Sequence, residues 1–134
     1  MKTSSGFSIR ARAASFLHAW RGLWFMIQSQ HNAWLHAIAT VVVIVVGFRF
    51  QISRVEWCLI ILSIMAVWIA EVFNTALECV VDLVSPDLHP LAGMAKDIAA
   101  GAVLISAAGA ATIGIIVFAP YGSSLLAGSG LFVK

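Results

Sequence analysis

The chain has 134 residues, of which 61% are apolar (AVILMFWYC) and only 10% charged, with a mean hydropathy of +0.98. A soluble domain of this size keeps much of its surface in water, so this composition excludes one and requires a bilayer to cover the remainder. The net charge of +2 comes from eight scattered Lys and Arg against six Asp and Glu. No block is dense enough to follow a phosphate backbone, which argues against a nucleic-acid partner.

Residues 7–28 have helical periodicity. Ile9, Phe16, Trp20, Leu23, Trp24 and Ile27 fall on one face, and Arg10, His18, Arg21 and Gln28 on the other. The stretch lacks the cleavage pattern of a signal peptide and reads as an amphipathic helix lying in the bilayer surface.

Three spans follow. Between Arg21 and Arg49, and again between Asp97 and Lys134, no Asp, Glu, Lys or Arg interrupts the apolar sequence, and each gap holds the roughly 20 apolar residues of a transmembrane helix. The first span is predicted at residues 32–50. The second, 54–84, opens with a capping box, Ser53-Arg54-Val55-Glu56, and is stopped by Pro86. The third, 92–119, opens after His89-Pro90 and is closed by Pro120, leaving residues 120–134 as a loose Gly- and Ser-rich tail. Its Ala102, Ser106, Ala110 and Gly114 form a small-residue ladder suited to close helix approach in lipid.

Lys2, Arg10, Arg12, Arg21 and Lys96 lie on one side of this arrangement and Arg49, Arg54 and Lys134 on the other. That imbalance puts the N-terminus and the second loop inside, in the cytoplasm. Cys58 and Cys79 have no metal-binding spacing and read as buried small hydrophobes. Trp20, Trp24, Trp34 and Trp57 read as interfacial belt residues, His31 and His36 as polar anchors at the entry to span one, and Trp68 as packing inside an oligomer.

The second span carries Glu71, Asn74, Glu78 and Asp82, whose 3-4-4 spacing places them on one narrow stripe. Carboxylates aligned at one-turn intervals repel one another unless a cation neutralises them. A short loop returns Lys96 and Asp97 to the same end of the molecule. Carboxylates, an amide and a lysine suit Mg²⁺ and phosphate oxygens, so the stripe reads as a magnesium–nucleotide site. No GxxxxGK[ST] loop or strand-borne GxGxxG is present, so side chains and metal would have to hold the phosphates. The bland alternative is a solvated helix face. Two further readings remain open: a small proton-coupled transporter, because intramembrane carboxylates mark ion pathways, and a non-catalytic scaffold built on the ladder.

The run Ala70-Glu71-Val72-Phe73-Asn74-Thr75-Ala76-Leu77-Glu78-Cys79-Val80-Val81-Asp82, with His89, Ala95-Lys96-Asp97 and Trp20-Arg21-Gly22-Leu23, resembles the small bacterial diacylglycerol kinase and undecaprenol kinase family over residues 7–119. The resemblance implies an all-α membrane protein, a surface helix plus three transmembrane helices, with residues 1–134 as one lipid kinase domain. It further implies a homotrimer in the bacterial inner membrane with shared sites at the cytoplasmic surface. There the γ-phosphate of ATP, with Mg²⁺, would pass to a lipid alcohol, diacylglycerol or undecaprenol.

By that resemblance Glu71 is the catalytic base and Asn74 positions the reacting groups. Glu78 holds the metal and nucleotide, His89, Lys96 and Asp97 serve the nucleotide, and Asp82 supports them. Gln30 stands where much of the family has a second metal-binding glutamate; its amide oxygen can ligate Mg²⁺ but brings no charge. The wording around Val81-Asp82-Leu83 and Asp97-Ile98-Ala99-Ala100-Gly101 is closer to the undecaprenol branch.

Overall fold

The computed structural model describes residues 8–87 and 89–126, whose regular structure is four helices: α1 (Ile9–Ser29), α2 (His31–Phe50), α3 (Arg54–Val84) and α4 (Pro90–Leu126). α2, α3 and the Pro90–Ser123 part of α4 are long and apolar enough to cross a membrane.

Local chemistry sets the breaks. Ser8 caps α1 by accepting from the Ala11 N–H at 3.4 Å. A single extended residue, Gln30 (φ −108°, ψ 117°), is at once the C-cap of α1 and the N-cap of α2. α2 ends at Gln51, whose φ of 53° is the left-handed conformation that lets the chain turn back, and the Gln51 and Ile52 amides close on Phe48 and Gly47 carbonyls. The predicted capping box then forms. Ser53 N–H donates to Glu56 Oε2 at 2.7 Å, and Glu56 N–H to Ser53 Oγ at 3.3 Å. α3 ends one residue short of the Ser85-Pro86 step.

α3 is the spine. α4 packs along most of its length, whereas α2 and α1 rest on it over shorter stretches. At the turn end Ile52, Ile60 and Val117 form a small core with Trp57, Phe50, Phe118 and Tyr121 around it. Phe50 stacks on Tyr121 with ring centroids 5.5 Å apart, and the Tyr121 hydroxyl donates to Glu56 Oε2 at 2.9 Å. Gly47 makes room for the Trp57 indole; a Cβ there would lie 2.7 Å from the ring. Most other large apolar side chains, Phe16, Val41, Leu62, Ile105 and Ile116 among them, face outward, as a bilayer solvent allows.

Several expectations are corrected. Pro120 lies inside α4, which runs seven residues past the predicted end at 119, to Leu126. A proline removes one helical donor, but transmembrane helices tolerate this when neighbours hold the freed turn. Here Tyr121 is anchored to Phe50 and Glu56, and Ser123 Oγ donates to the Pro120 carbonyl at 2.8 Å. The predicted tail is therefore helical through Leu126; its residues 127–134, like residue 7 of the first helix, lie outside the described residues. α4 also begins at Pro90 rather than 92, because proline is well suited to the first helical position.

Cys58 and Cys79 are exposed rather than buried, because no neighbouring helix of the chain covers them. The ladder does not bring backbones together at Gly114, where a Cβ would meet nothing within 4 Å. Trp68 ties two helices of the same chain: its Nε1–H donates to Thr40 Oγ1 at 3.1 Å. Trp57 packs against Gly47 and Phe48.

Candidate active site

Two side-chain bonds fix α2 against α3. Gln30 Nε2 donates to Glu78 Oε2 at 2.7 Å, and Trp68 Nε1 donates to Thr40 Oγ1 at 3.1 Å. From Gln30 to Thr40 is ten residues in one direction, and from Glu78 to Trp68 ten in the other, so the helices run antiparallel in constant register. α4 is fixed likewise by the Lys96–Asp82 ion pair at one end and the Tyr121–Glu56 bond at the other.

Within this frame the acidic stripe graduates from dry to wet. Glu71 is 1% exposed, Asn74 and Thr75 are buried, Glu78 is half-buried and Asp82 is exposed. Both Glu71 carboxylate oxygens and Asn74 Oδ1 are buried without a hydrogen-bond partner. Orphaned buried oxygens are costly, and such groups in a cleft mark a place where a ligand, water or ion is expected. Asn74 Nδ2 donates to Glu78 Oε1 at 2.9 Å, so Glu78 accepts one amide on each oxygen, from Asn74 and from Gln30.

Of the residues singled out from the sequence, Gln30, Asn74 and Glu78 are thus directly bonded, with Glu71 one turn from Asn74 on the same stripe. Lys96 pairs with Asp82. Those two, with Ser85, Asp87 and His89, line an open polar cleft of about 470 Å³ at the α3–α4 loop. The His89 ring turns back on its own chain, Nδ1 accepting from the Leu91 N–H at 3.2 Å, which caps α4. Asp97 is exposed on α4, next to Lys96 and outside the residues lining that cleft.

The donor set can be tested against magnesium. Among the described residues no three His, Cys, Asp or Glu side chains converge as a closed cation cage. Mg²⁺ does not need one, since it keeps several waters and is held by one or two carboxylates together with phosphate oxygens. Each Glu78 oxygen has a second lone pair beyond the amide it accepts. Hard oxygens with open positions fit such an ion.

Beside the stripe lies an apolar groove of about 580 Å³ between α1 and α3, lined by Trp20, Trp24 and Ile27 on one side and by Trp68, Val72 and Phe73 on the other. Glu71 belongs to the same stretch of α3 but is not among the residues that line the groove, its side chain lying on another face of the helix. Apolar residues predicted to face the bilayer surface line this groove. His36 was read from the sequence as an interfacial anchor. The structure puts it on the α3 side of α2, in a cavity shared with Val67, one turn before Glu71. The signal in the sequence was the His36 and Thr40 pair, polar positions one turn apart in an otherwise apolar span.

A buried, unpartnered carboxylate on a membrane-length helix that also borders an apolar groove and, further along, a cleft with a lysine is what an enzyme acting on lipids in the membrane would need. The prokaryotic diacylglycerol kinase family matches residues 17–118, and the chain belongs to that family. It is 42% identical over 106 residues to an undecaprenol kinase of Bacillus subtilis, covering 79% of this chain and 86% of that one. It is 31% identical over 110 residues to the diacylglycerol kinase of Escherichia coli, covering 77% and 83%. With a diacylglycerol kinase of Synechocystis it shares 40% over 101 residues, 75% of this chain and 58% of the relative. The chain is a membrane-embedded lipid kinase.

Proposed function

We propose that this kinase transfers the γ-phosphate of ATP, with Mg²⁺, to the hydroxyl of a membrane lipid alcohol at the cytoplasmic surface of the bacterial inner membrane. The observation that carries the reading is Glu71: a fully buried carboxylate with both oxygens unpartnered among the described residues, on the same α3 segment whose other face lines an apolar groove. The groove holds the lipid chain against α3, and Glu71 accepts the proton of the lipid hydroxyl as the lipid oxygen bonds to the γ-phosphorus and the bond to ADP breaks. Asn74 Oδ1 positions the reacting groups. Lys96 pairs with phosphate oxygens once released from Asp82, and Asp97 and His89 border the nucleotide.

Glu78 and Gln30 would hold the metal, which when bound neutralises phosphate charge. Phosphoryl transfer asks little more of a protein than this positioning and neutralisation. The sites are shared within a homotrimer, and α1 lies in the bilayer surface, a setting that suits its outward-facing Phe16, Leu17 and Trp20. The transporter reading has no comparable support, because all the named relatives are kinases.

The test is transfer of label from γ-labelled ATP to lipid by the purified protein, with diacylglycerol and undecaprenol presented in the same bilayer. Labelled lipid that requires Mg²⁺ and disappears in Glu71→Gln is expected. Greater identity to the undecaprenol kinase, and the wording near Asp82 and Asp97, favour undecaprenol as the better acceptor. Absence of labelled product with either lipid would refute the proposal.

A further inference from the structure

Glu71 is buried as a group that must be ionised to accept a proton, and no hydrogen bond supports its charge. An isolated carboxylate in such surroundings is strongly disfavoured unless an opposite charge stands near. The helix registers show what each neighbour offers. On its own helix Glu78 lies two turns away and is negative. Eleven residues back from Asp82 is Glu71, and eleven on from Lys96 is Ala107, so α4 presents Val103, Ser106 and Ala107 at this level, with no titratable side chain.

α1 contributes Trp20, Leu23, Trp24, Met26 and Ile27 to the groove on α3, all apolar, whereas Arg21 lines a separate pocket with Gln28. From α2, the Gln30–Glu78 and Thr40–Trp68 bonds put residues 36 and 37 opposite Glu71. Of these His36 shares the face of Thr40, one turn away, and lines the cavity beside Val67. Among the described residues His36 is therefore the titratable side chain that the packed helices bring to the level of Glu71.

We propose that His36, as an imidazolium, is the counter-charge that keeps Glu71 ionised in its buried position, and is therefore a positioning residue for the phosphoryl transfer. It transfers no proton itself and touches no substrate. Imidazole is the one side chain whose charge changes in the neutral range, so the device couples the competence of the base to pH.

The inference rests on Glu71 as the base, and the experiment separates the two. In the full-length protein in bilayers, His36→Gln is expected to lower kcat by about tenfold or more, the usual scale for removing one nearby opposite charge, with KM for Mg-ATP unchanged. His36→Lys, which keeps a cation, restores most of kcat and retains it at alkaline pH where the native enzyme declines. Difference infrared spectra supply a readout independent of turnover. A protonated-carboxyl band, assigned by its loss in Glu71→Gln, should be present at neutral pH in His36→Gln and absent in the native protein.

An unchanged kcat–pH profile and an unchanged carboxyl band in His36→Gln would overturn the pairing. Failure of the native protein to phosphorylate lipid would instead overturn the reading of Glu71 as a base, and the infrared band alone would then decide whether His36 sets its charge.

Discussion

Gln30 Nε2 donates to Glu78 Oε2 at 2.7 Å, joining the hinge between α1 and α2 to the middle of the acidic stripe. A glutamate at position 30 would place two carboxylates at that distance, which like charges tolerate only around a cation. The amide makes the contact attractive without metal. Gln30→Glu is therefore expected to make folding depend on magnesium. Its unfolding midpoint in detergent should fall in chelator and recover with millimolar Mg²⁺, whereas the native midpoint moves less.

Glu71→Gln removes the proton acceptor and a buried charge together. Transfer to lipid should fall by ~10²–10⁴-fold, the range for a general base, while thermal denaturation shows a lower midpoint because the proposed His36 partner loses its counter-charge.

Asp82 and Lys96 are solvent-facing partners, and exposed ion pairs add little to stability. Asp82→Asn should leave the unfolding midpoint in place and alter KM for ATP, since it frees the Lys96 ammonium. Lys96→Met should raise that KM sharply. A titration of initial rate against ATP at two salt concentrations distinguishes these effects.

Trp24 of α1 and Phe73 of α3 both line the apolar groove. Trp24→Ala is expected to raise KM for the lipid several-fold and leave KM for ATP alone, measured in mixed micelles with the lipid diluted at constant detergent. Equal changes in both constants would contradict assignment of the groove to the lipid chain.

Gly47→Ala tests the outer end. With a Cβ 2.7 Å from the Trp57 ring, the indole must move, and overpacking of this kind costs about 1–3 kcal/mol. Unfolding in detergent reads the loss, and Trp57→Phe in the same background should restore part of it.

The capping box at Ser53, the stop before Pro86 and the acidic stripe were legible because each depends on residues close in sequence. Pro120 was misread because what holds the turn beyond it, Phe50 and Glu56, comes from distant parts of the chain. His36 was missed for the same reason. A histidine one-third of the way into a span looks like any polar anchor until the partner helix is placed, and that placement depends on two bonds, one from Gln30 and one from Trp68, that no local rule foretells. The exposure of Cys58 and Cys79 also depends on which face of α3 its neighbours cover.

The ten-residue spans that separate Gln30 from Thr40 and Trp68 from Glu78 act as matched rungs between two rails. Adding or deleting one residue between the rungs on a single rail would swing the acid stripe by about 100° against its partners. The length of this segment in α2 is thereby tied to that in α3, so a viable descendant must change both by the same number or neither.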